Sequence, residues 1–526
     1  MTNSVSELED ADCIFVIGSN TTSSHPLVAT RIFRGKEKGA KLIVADPRKI
    51  QLASMADIYV SQNLGTDVAL LNGIMHVIIE RGWHDQGFIE GRTEGFEDFS
   101  KTIGDYPPEK VAEITGIASD DIVKIAEYYG TAKTASIVYC MGITQHTTGV
   151  DNVKSLANLA MLTGNMGKAS TGVNPLRGQN NVQGACDMGG LPNVYPGYQA
   201  VNIPDNQKKF ESAWDAKLSE QVGLTIPAML SGLLEGSVKG LFVVGENPMM
   251  SDPDTNHVEK ALKSAELLVV QDIFLTPTAE LAHVVLPGTS FAEKEGTFTN
   301  TERRVLRVRQ AIEPVGDSRP DWQVIQDVSN RFGYPMDYES PADIMKEIAS
   351  VTPSYGGITF ERLEGEGLQW PCPDPEHPGT EFLHKEKFVR GKGLFHAIEY
   401  KPPAEAVDEE YPLWLTTGRV YVHYHTGTMT RNSPSLNAEL SEAYLEVSSE
   451  DAERMEISRG DAVKVSSRRG EIRAKTLVTD RVKEGVVFMP FHFVESNANV
   501  LTNPAHDPIV KIPEFKVCAV RVERVP

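Results

Sequence analysis

Two distant stretches of the chain repeat one pattern of apolar and polar positions. In each, an apolar segment meets a Gly-polar-Asn turn, a helix-length spacer follows, and a second apolar segment ends in Asp. The copies are CIFVIGSN with KLIVAD, from Cys13 and Lys41, and LFVVGEN with LLVVQD, from Leu241 and Leu267. A third short apolar segment follows each copy. The pattern predicts two parallel β–α–β units whose strand tips suit the phosphates of a nucleotide.

The spacing of the two copies is nearly equal. Gly18 and Asp46 are 28 positions apart, and Gly245 and Asp272 are 27 apart. Neither copy is a full G-x-G-x-x-G motif, so a standard nicotinamide or flavin site is poorly supported. One copy alone would be a generic α/β turn more often than a ligand site. The matched pair favours two nucleotide-bearing ligands, or one cofactor with two arms.

The remaining pattern predicts an α/β chain that ends in a β-barrel. Helices are expected at about 66–81 and 150–162, and a buried strand at 135–141. The last ~115 residues are short β segments separated by turns, which is typical of a small barrel. Four domains are predicted: a first α/β dinucleotide-binding domain at 1–179, a second at 180–290, a partly irregular covering segment at 291–400, and the barrel at 401–526.

Composition narrows the class of protein. A net charge of −21 argues against a nucleic-acid partner. The five cysteines are scattered without a C-x-x-C pair, so neither zinc nor a locally bound iron–sulfur cluster is indicated. The first residues are polar and acidic, and no apolar run is long enough to span a bilayer. A cytoplasmic, reducing location is the expectation.

Several polar residues carry both a ligand-binding and a structural interpretation. Asp46, at a strand tip, suits a ribose hydroxyl or the amino groups of a guanine. Asp67 follows Gly65 at a helix start, where a routine helix cap is favoured over a cofactor contact. Cys186 is interpreted as a small buried residue.

Arginines and histidines supply the other candidates. Arg177 lies in the irregular stretch 163–199, and its planar fork suits a carboxylate or phosphate, although a structural role is more common. Arg303 and Arg304 could contact an anion or lie on a solvated β-edge. His423 and His425 alternate as on a strand, so both would face one side. For them a metal ranks below contacts to a bound ligand, because no third metal ligand is evident.

Three more histidines are interpreted through their surroundings. His25, at a helix start, and His146 are expected to make polar contacts. His492 and Asn499 lie in an unusually polar stretch after a strand and could face a ligand.

With these residues identified, the chain resembles the molybdopterin oxidoreductase (DMSO reductase-like) family, and within it the formate dehydrogenase catalytic subunits. The most specific stretch is MLTGNMGKASTGVNPLRGQNNVQGACDMGGLPNVYPGYQ, and the resemblance covers essentially all 526 residues in order. It implies an α/β fold with two Rossmann-like parallel-sheet units related by pseudo-symmetry, plus a C-terminal β-barrel of the double-psi type. It also implies an enzyme that oxidises formate to carbon dioxide in a two-electron transfer.

The resemblance assigns a cofactor and its binding residues. The cofactor would be bis(molybdopterin guanine dinucleotide) with molybdenum or tungsten. The residues implied for the first dinucleotide and its pterin are Ser19, Asn20, Asp46, Arg48, Gly65, Asp67, Met141, Gly142 and Gln145. Gln179 is implied as a cofactor-binding residue without assignment to either dinucleotide. Those implied for the second are Gly245, Asn247, Gln271, Asp272 and Thr276. Those implied in the barrel are Arg419, His423, His425, Thr426, Asn499 and Lys516. Arg177 would be the catalytic residue that clamps the formate carboxylate.

The resemblance places no metal ligand in this chain. The metal-binding Cys or selenocysteine and a four-iron four-sulfur cluster are expected upstream of Met1, in a missing segment or on a second chain. A start after a selenocysteine codon and a split subunit both stay open. The implied partners are formate, that upstream part and an iron–sulfur or flavin electron-transfer subunit, with no nucleic acid and no membrane span.

Two other functions stay open at this point. One is a different molybdopterin oxidoreductase, such as a nitrate reductase. The other is a cofactor-binding chain that is inactive without an upstream partner. The choice of metal, the electron acceptor and the oligomeric state are not specified by these residues.

Overall fold

The structure is a computed structural model that describes residues 1–525. It contains parallel β-sheets with helices and a closed six-stranded barrel, so the expected α/β class with a C-terminal barrel is confirmed. The strands up to residue 244 are β1 Cys13–Ile17, β2 Lys41–Ala45, β3 Ile58–Val60, β4 Thr93–Glu94, β5 Ala135–Tyr139, β6 Gly172–Pro175, β7 Val194–Tyr195, β8 Gln199–Ala200 and β9 Gly240–Val244. The later strands are β10 Leu267–Asp272, β11 Val284–Pro287, β12 Gly296–Thr299, β13 Arg304–Val308, β14 Leu368–Gln369, β15 Gly393–Leu394, β16 Leu413–Gly418, β17 Tyr444–Val447, β18 Ala462–Ser466, β19 Glu471–Val478, β20 Val486–Pro490 and β21 Cys518–Arg524.

Helices connect and cover these strands. The helices up to residue 187 are α1 Thr21–Ser24, α2 Pro26–Glu37, α3 Asp67–Glu80, α4 Gln86–Arg92, α5 Phe96–Gly104, α6 Pro108–Thr115, α7 Ser119–Gly130, α8 Met141–Thr144, α9 Gly149–Leu162 and α10 Val182–Asp187. The later helices are α11 Pro204–Trp214, α12 Ile226–Glu235, α13 Pro248–Ser251, α14 Thr255–Lys263, α15 Pro277–Glu280, α16 Asp321–Arg331, α17 Pro341–Val351, α18 Pro434–Glu439 and α19 Ser449–Arg454. Within residues 1–525, no helix has both the length and the apolar character needed to cross a membrane.

The chain divides into two compact units. One comprises residues 1–178, 252–256 and 382–526, and the other comprises residues 179–251 and 257–381. The first unit therefore holds both the N-terminal α/β region and the barrel. The division into four domains stays a prediction.

The sheet of the first unit is five-stranded and parallel, in the order β3-β2-β1-β5-β6. Its strands are apolar on both faces, as expected for a parallel sheet with helices on each side. Phe15 and Ile17 point into the core that includes α3 and α9, and Ile14 and Val16 point into the core that includes α2. The sheet is thus buried on both faces.

The sheet of the second unit is three-stranded and parallel, in the order β11-β10-β9. Val243, Leu268 and Val270 pack with residues of α12 and α14 on one face. A separate antiparallel sheet, β12-β13-β14, lies in the same unit.

The barrel closes in the order β16-β20-β17-β19-β18-β21. Its inward side chains form one apolar core that includes Leu415, Leu445 and Val487. Each β segment predicted in the last part of the chain contributes a strand, so the barrel prediction is confirmed.

Two local predictions were wrong. His423 and His425 do not alternate on a strand, because β16 ends at Gly418 and His425 has a left-handed φ of 47°. Arg303 is not on a solvated edge: it is buried, and its guanidinium donates to the carbonyl oxygens of Trp370, Thr380 and Glu381. Burial of a cation in a ring of carbonyls gives Arg303 a structural role.

Candidate functional site

A cavity lies in the first unit, where the carboxyl ends of its parallel strands meet the barrel. Ligands of open α/β sheets bind at this end of the strands. The predicted cofactor residues that line it are Ser19, Asn20, Asp46, Arg48, Gly65, Asp67, Met141, Gly142, Gln145, Arg419 and Lys516. The structure therefore brings together side chains that are up to about 500 positions apart in sequence.

At the base of the cavity, the backbone that follows β1 closely approaches the backbone that follows β5. Gly18 ends β1 with a left-handed φ of 57°, and the Gly142 N–H donates to the Gly18 carbonyl at 3.0 Å. A Cβ on Gly18 would lie 2.8 Å from the Gly142 carbonyl carbon, and one on Gly142 would lie 2.6 Å from the Gly18 oxygen. Only glycine at both positions allows this approach, which brings the loop after β1 against the loop after β5.

Charged groups of both signs face the cavity with few protein partners. Asp46 Oδ1 accepts the Arg48 N–H at 3.0 Å, and burial raises the pKa of this carboxyl to about 6. Lys516 Nζ donates to the Thr417 carbonyl at 2.6 Å, and burial lowers its pKa to about 8. Burial also lowers the pKa of Arg419. Charges that the fold desolvates without pairing suit a ligand with both anionic and amino groups.

A buried polar chain completes the wall beside α3. Gln62 Nε2 donates to Asp67 Oδ1 at 3.0 Å, and His146 Nε2 lies 3.9 Å from Asp67 Oδ2. Burial raises the pKa of Asp67, and the nearby His146 opposes that shift. Among the described residues, the buried atoms Gln62 Oε1 and His146 Nδ1 have no hydrogen-bond partner. Buried atoms of this kind in a cavity wall fit a polar ligand.

These features fit one arm of a molybdopterin dinucleotide. The glycine-ended tip of β1 leads into the short helix α1, and both lie at the cavity. Lys516 and Arg419 add positive charge, the Asp46 carboxylate has capacity to accept from amino groups, and Gln62 and His146 offer unmatched polar atoms.

Arg48 lies at the cavity but is mainly engaged by the barrel. Its guanidinium donates to both carboxylate oxygens of the fully buried Glu446, at 2.6 and 2.8 Å, and stacks on the Phe488 ring at 4.2 Å. Arg481 also approaches Glu446, at 3.1 Å. This buried bidentate ion pair between Arg48 and Glu446 holds the loop after β2 against the barrel.

The backbone at Arg177 is held by two side chains. His25 Nε2 donates to the Arg177 carbonyl at 2.6 Å, and Arg419 donates to the Gly178 carbonyl at 2.7 Å. A Cβ on Gly178 would lie 2.7 Å from the Arg419 guanidinium. Two donors on consecutive carbonyls therefore fix the peptide from which the Arg177 side chain extends.

The turn after β9 has the same backbone geometry as the turn after β1. Gly245 has a φ of 63°, and its N–H donates to the Gln271 carbonyl at 2.8 Å, as Gly18 donates to Ala45 at 3.0 Å. Gln271 Oε1 is buried without a partner among the described residues. Burial raises the pKa of Asp272. These three residues present the same kind of polar tip as the first unit.

Asn247 and Thr276 have structural partners. Asn247 Oδ1 accepts the Thr278 hydroxyl at 2.6 Å. Thr276 Oγ1 accepts the Ala279 N–H at 3.2 Å and so caps α15.

Arg177, the predicted catalytic residue, is not among the residues that line the cavity. The remaining predicted residues outside its lining are Gln179, His423, His425, Thr426 and Asn499. His423 donates to the Leu440 carbonyl at 2.6 Å. His492 joins the two ends of the loop that follows β16, because its Nε2 accepts the Val420 N–H at 3.1 Å and its Nδ1 donates to the His425 carbonyl. Burial lowers the pKa of His492 to about 3, so this ring is neutral.

Sequence reasoning missed some wall residues. Gln62, Cys140 and Phe488 line the cavity but were not predicted. Gln62 follows the tip of β3 by two positions, so the rule that ligands bind beyond strand ends could have found it. Phe488 lies inside an apolar strand and carries no such signal.

Comparisons with known proteins agree with this architecture. The family described as Molybdopterin oxidoreductase matches residues 1–331, and the family described as Molydopterin dinucleotide binding domain matches residues 413–519. The chain is 54% identical, over its whole length and 78% of the relative, to F420-dependent formate dehydrogenase subunit alpha of Methanocaldococcus jannaschii. It is 42% identical, over its whole length and 74% of the relative, to formate dehydrogenase H of Escherichia coli.

A solved structure shares the fold. Acetylene hydratase from Pelobacter acetylenicus superposes with a TM-score of 0.79 at 21% identity, covering 99% of this chain and 79% of that one. With two family matches and relatives of this similarity along its whole length, the chain belongs to the molybdopterin oxidoreductase family, among the formate dehydrogenase alpha subunits.

Proposed function

We propose that this chain is the formate-oxidising subunit of a molybdopterin-dependent formate dehydrogenase. The observation that carries the proposal is the full-length identity of 54% to formate dehydrogenase alpha subunits. The reaction converts formate to carbon dioxide, one proton and two electrons. When bound, the molybdopterin group and its metal accept those two electrons.

The cofactor proposal is a bis(molybdopterin guanine dinucleotide) that carries molybdenum or tungsten. The cavity of the first unit would hold one dinucleotide through Asp46, Lys516 and Arg419. The tip at Gly245 and Asp272 would contact the other. A four-iron four-sulfur cluster, the Cys or selenocysteine metal ligand and an electron-transfer subunit are proposed outside the residues described here, in a cytoplasmic enzyme.

Arg177 is proposed to bind the formate carboxylate through two parallel hydrogen bonds. A guanidinium matches the two oxygens of a carboxylate, which orients the C–H bond away from the arginine. Because His25 and Arg419 fix the backbone at Arg177 and Gly178, the guanidinium starts from a defined position. Orientation of this kind accounts for several kcal/mol of a reaction barrier.

The test compares Arg177→Lys and Arg177→Ala in the holoenzyme purified from its native host. We expect kcat/KM for formate to fall about 10³-fold in Arg177→Ala, and KM to rise in Arg177→Lys, because lysine keeps the charge but loses the planar fork. Molybdopterin content should stay at the wild-type level in both variants.

The matched control is Arg459→Ala, at an exposed arginine, which should retain wild-type turnover. Formate turnover within threefold of wild type in Arg177→Ala would refute the carboxylate role. Nitrate reduction without formate oxidation by the wild-type enzyme would refute the substrate.

A further inference from the structure

Two buried side chains in the cavity wall of the first unit each keep one polar atom unused. Gln62 and His146 both line the cavity, and they are 1% and 3% exposed, respectively. Within residues 1–525, the buried atoms Gln62 Oε1 and His146 Nδ1 have no hydrogen-bond partner. Leaving a buried polar atom unpaired is costly, so such atoms in the wall of a cavity indicate bonds that a ligand completes.

The hydrogen bond that Gln62 makes identifies its free atom as an acceptor. Gln62 Nε2 donates to Asp67 Oδ1 at 3.0 Å. An ionised carboxylate only accepts, so the amide nitrogen must face Asp67 and the amide oxygen must be the free atom. The opposite amide orientation would place two acceptors together and lose this bond. Gln62 therefore offers a carbonyl oxygen to the cavity.

The same reasoning fixes the tautomer of His146. Its Nε2 lies 2.8 Å from the Gly142 carbonyl oxygen, which can only accept, so Nε2 carries a proton. In the neutral ring, Nδ1 then has a lone pair and no proton. The free atom of His146 is therefore an acceptor as well.

Gln62, Asp67 and His146, named here the acceptor wall, form one group of neighbouring acceptors. His146 Nε2 is 3.9 Å from Asp67 Oδ2, and all three side chains line the cavity. The Asp67 carboxylate repels a phosphate, whereas Lys516 and Arg419, which also line the cavity, attract one. The acceptor wall therefore suits a neutral edge of a ligand that carries N–H groups.

We propose that the acceptor wall binds an aminopyrimidinone edge, whose amino and lactam N–H groups are donors. Guanine and the pterin ring share this edge, so both halves of a molybdopterin guanine dinucleotide carry it. This inference rests on the proposed function and adds Gln62 and His146 as residues that determine which ligand is accepted. A site built from such acceptors rejects an analogue without the amino group, because a buried acceptor is then left unpaired.

The first experiment varies the ligand by one functional group. This chain, produced in a host that makes no molybdopterin, is titrated by calorimetry with GMP and with IMP, which lacks the exocyclic amino group. A second pair compares pterin with lumazine, which has an oxygen in place of that amino group. We expect an amino-bearing compound to bind about tenfold more tightly than its partner. A preference for GMP assigns the edge to guanine, and a preference for pterin assigns it to the pterin ring.

The second experiment removes the Gln62 acceptor. Gln62→Leu deletes the amide, and Gln62→Lys keeps a donor toward Asp67 but presents no acceptor, so both should reduce the preference to about threefold or less. Gln86→Leu, at an exposed glutamine of α4, is the matched control and should keep the wild-type preference. A loss of stability weakens both members of a pair equally, so the ratio of their affinities reports on recognition.

His146 is tested by a conservative and a non-conservative replacement. His146→Gln can retain both a donor to the Gly142 carbonyl and an acceptor toward the cavity, so it should keep the preference. His146→Phe has neither group and should lower the preference as Gln62→Leu does.

The same substitutions are then compared in the holoenzyme from the native host, by cofactor retention. Pterin released after dilution is followed by its fluorescence. We expect release to be about tenfold faster from Gln62→Leu than from wild type, because a lost interaction mainly raises the dissociation rate. Gln86→Leu should release pterin at the wild-type rate.

Several results would overturn the proposal. Equal affinity for both members of each pair would show that the amino group is not recognised, and failure of all four compounds to bind would count equally against it. A preference that survives in both Gln62→Leu and His146→Phe would exclude the acceptor wall as its source. None of these results bears on formate oxidation, which the Arg177 variants test separately in the loaded enzyme.

Discussion

In the sheet of the first unit, Phe15 and Ile17 of β1 are fully buried. Phe242 and Val244 of β9, which lie at the same distance before the tip glycine of the second sheet, are exposed. Both sheets nevertheless end in the same glycine turn, with the same hydrogen bond from the glycine to the neighbouring strand. The local strand–turn pattern is thus sufficient to form a tip, while burial of the sheet depends on elements far away in sequence. Tip geometry and sheet packing are separate properties in this fold.

The largest expected difference between the sheets is in their tolerance of a truncated aromatic side chain. Phe15→Ala should reduce the opening free energy of β1 by about 3–5 kcal/mol, because it leaves a cavity in a closed core. Phe242→Ala should cost β9 less than about 1.5 kcal/mol, because that ring is partly solvated. Native-state hydrogen exchange of the two strands measures both values. Equal losses would mean that the two sheets are packed alike.

A smaller difference is expected at the two tip glycines. Both have a left-handed φ, which costs alanine roughly 1–2 kcal/mol. Gly18→Ala also drives its Cβ into the Gly142 backbone, whereas a Cβ on Gly245 meets no atom within 4 Å. We expect a loss of about 3 kcal/mol for Gly18→Ala and about 1 kcal/mol for Gly245→Ala, measured by the same exchange experiment. A Gly245→Ala loss as large as that of Gly18→Ala would contradict the close backbone approach in the first unit.

The smallest effect is a pH dependence of the two tip carboxyls. The pKa of Asp46 rises from 3.8 to about 6 in the fold, so the native state holds this proton more tightly than the unfolded state. Stability should therefore fall as the pH rises from about 4 to about 6, and the penalty should be complete above that range. In the cofactor-free chain, Asp46→Asn should remove the penalty and add about 1–2 kcal/mol at pH 7.5 but little at pH 4.

Asp272→Asn is the matched control for that experiment. Burial raises the pKa of Asp272 as well, but the backbone N–H groups of Ile273 and Phe274 stabilise its charge. We expect the same sign with a smaller gain, read from the thermal midpoint at both pH values. An Asp46→Asn variant with the same pH profile as wild type would show that Asp46 titrates normally.

Elements with a strong local pattern were predictable from the sequence. The predicted helix at 66–81 is α3 at Asp67–Glu80, and the last β segments all become barrel strands. The clustering of Asp46, Arg419 and Lys516 followed only from the family resemblance, because these residues lie far apart in sequence. Arg48 pairs with Glu446 across 398 positions, and no local sequence pattern predicts that pairing.

The wrong predictions concern short polar segments in which the apolar residues show neither helix nor strand periodicity. The stretch around His423 alternates like a strand, yet the left-handed backbone at His425 and the bonds from His492 to Val420 and His425 hold it as a turn. Arg303 looked solvent-facing because it lies beside Arg304 and Glu302. Its burial depends on carbonyls of residues 370–381, which no local pattern reveals.

The wall of the cavity in the first unit is drawn from residues as early as Gly18 and as late as Lys516. During translation, a growing polypeptide that has already emerged past Arg177 still lacks Arg419, which holds the neighbouring Gly178 carbonyl. A nascent chain consequently offers no finished chamber to a nucleotide. The cavity is therefore complete only after the ribosome has produced the barrel.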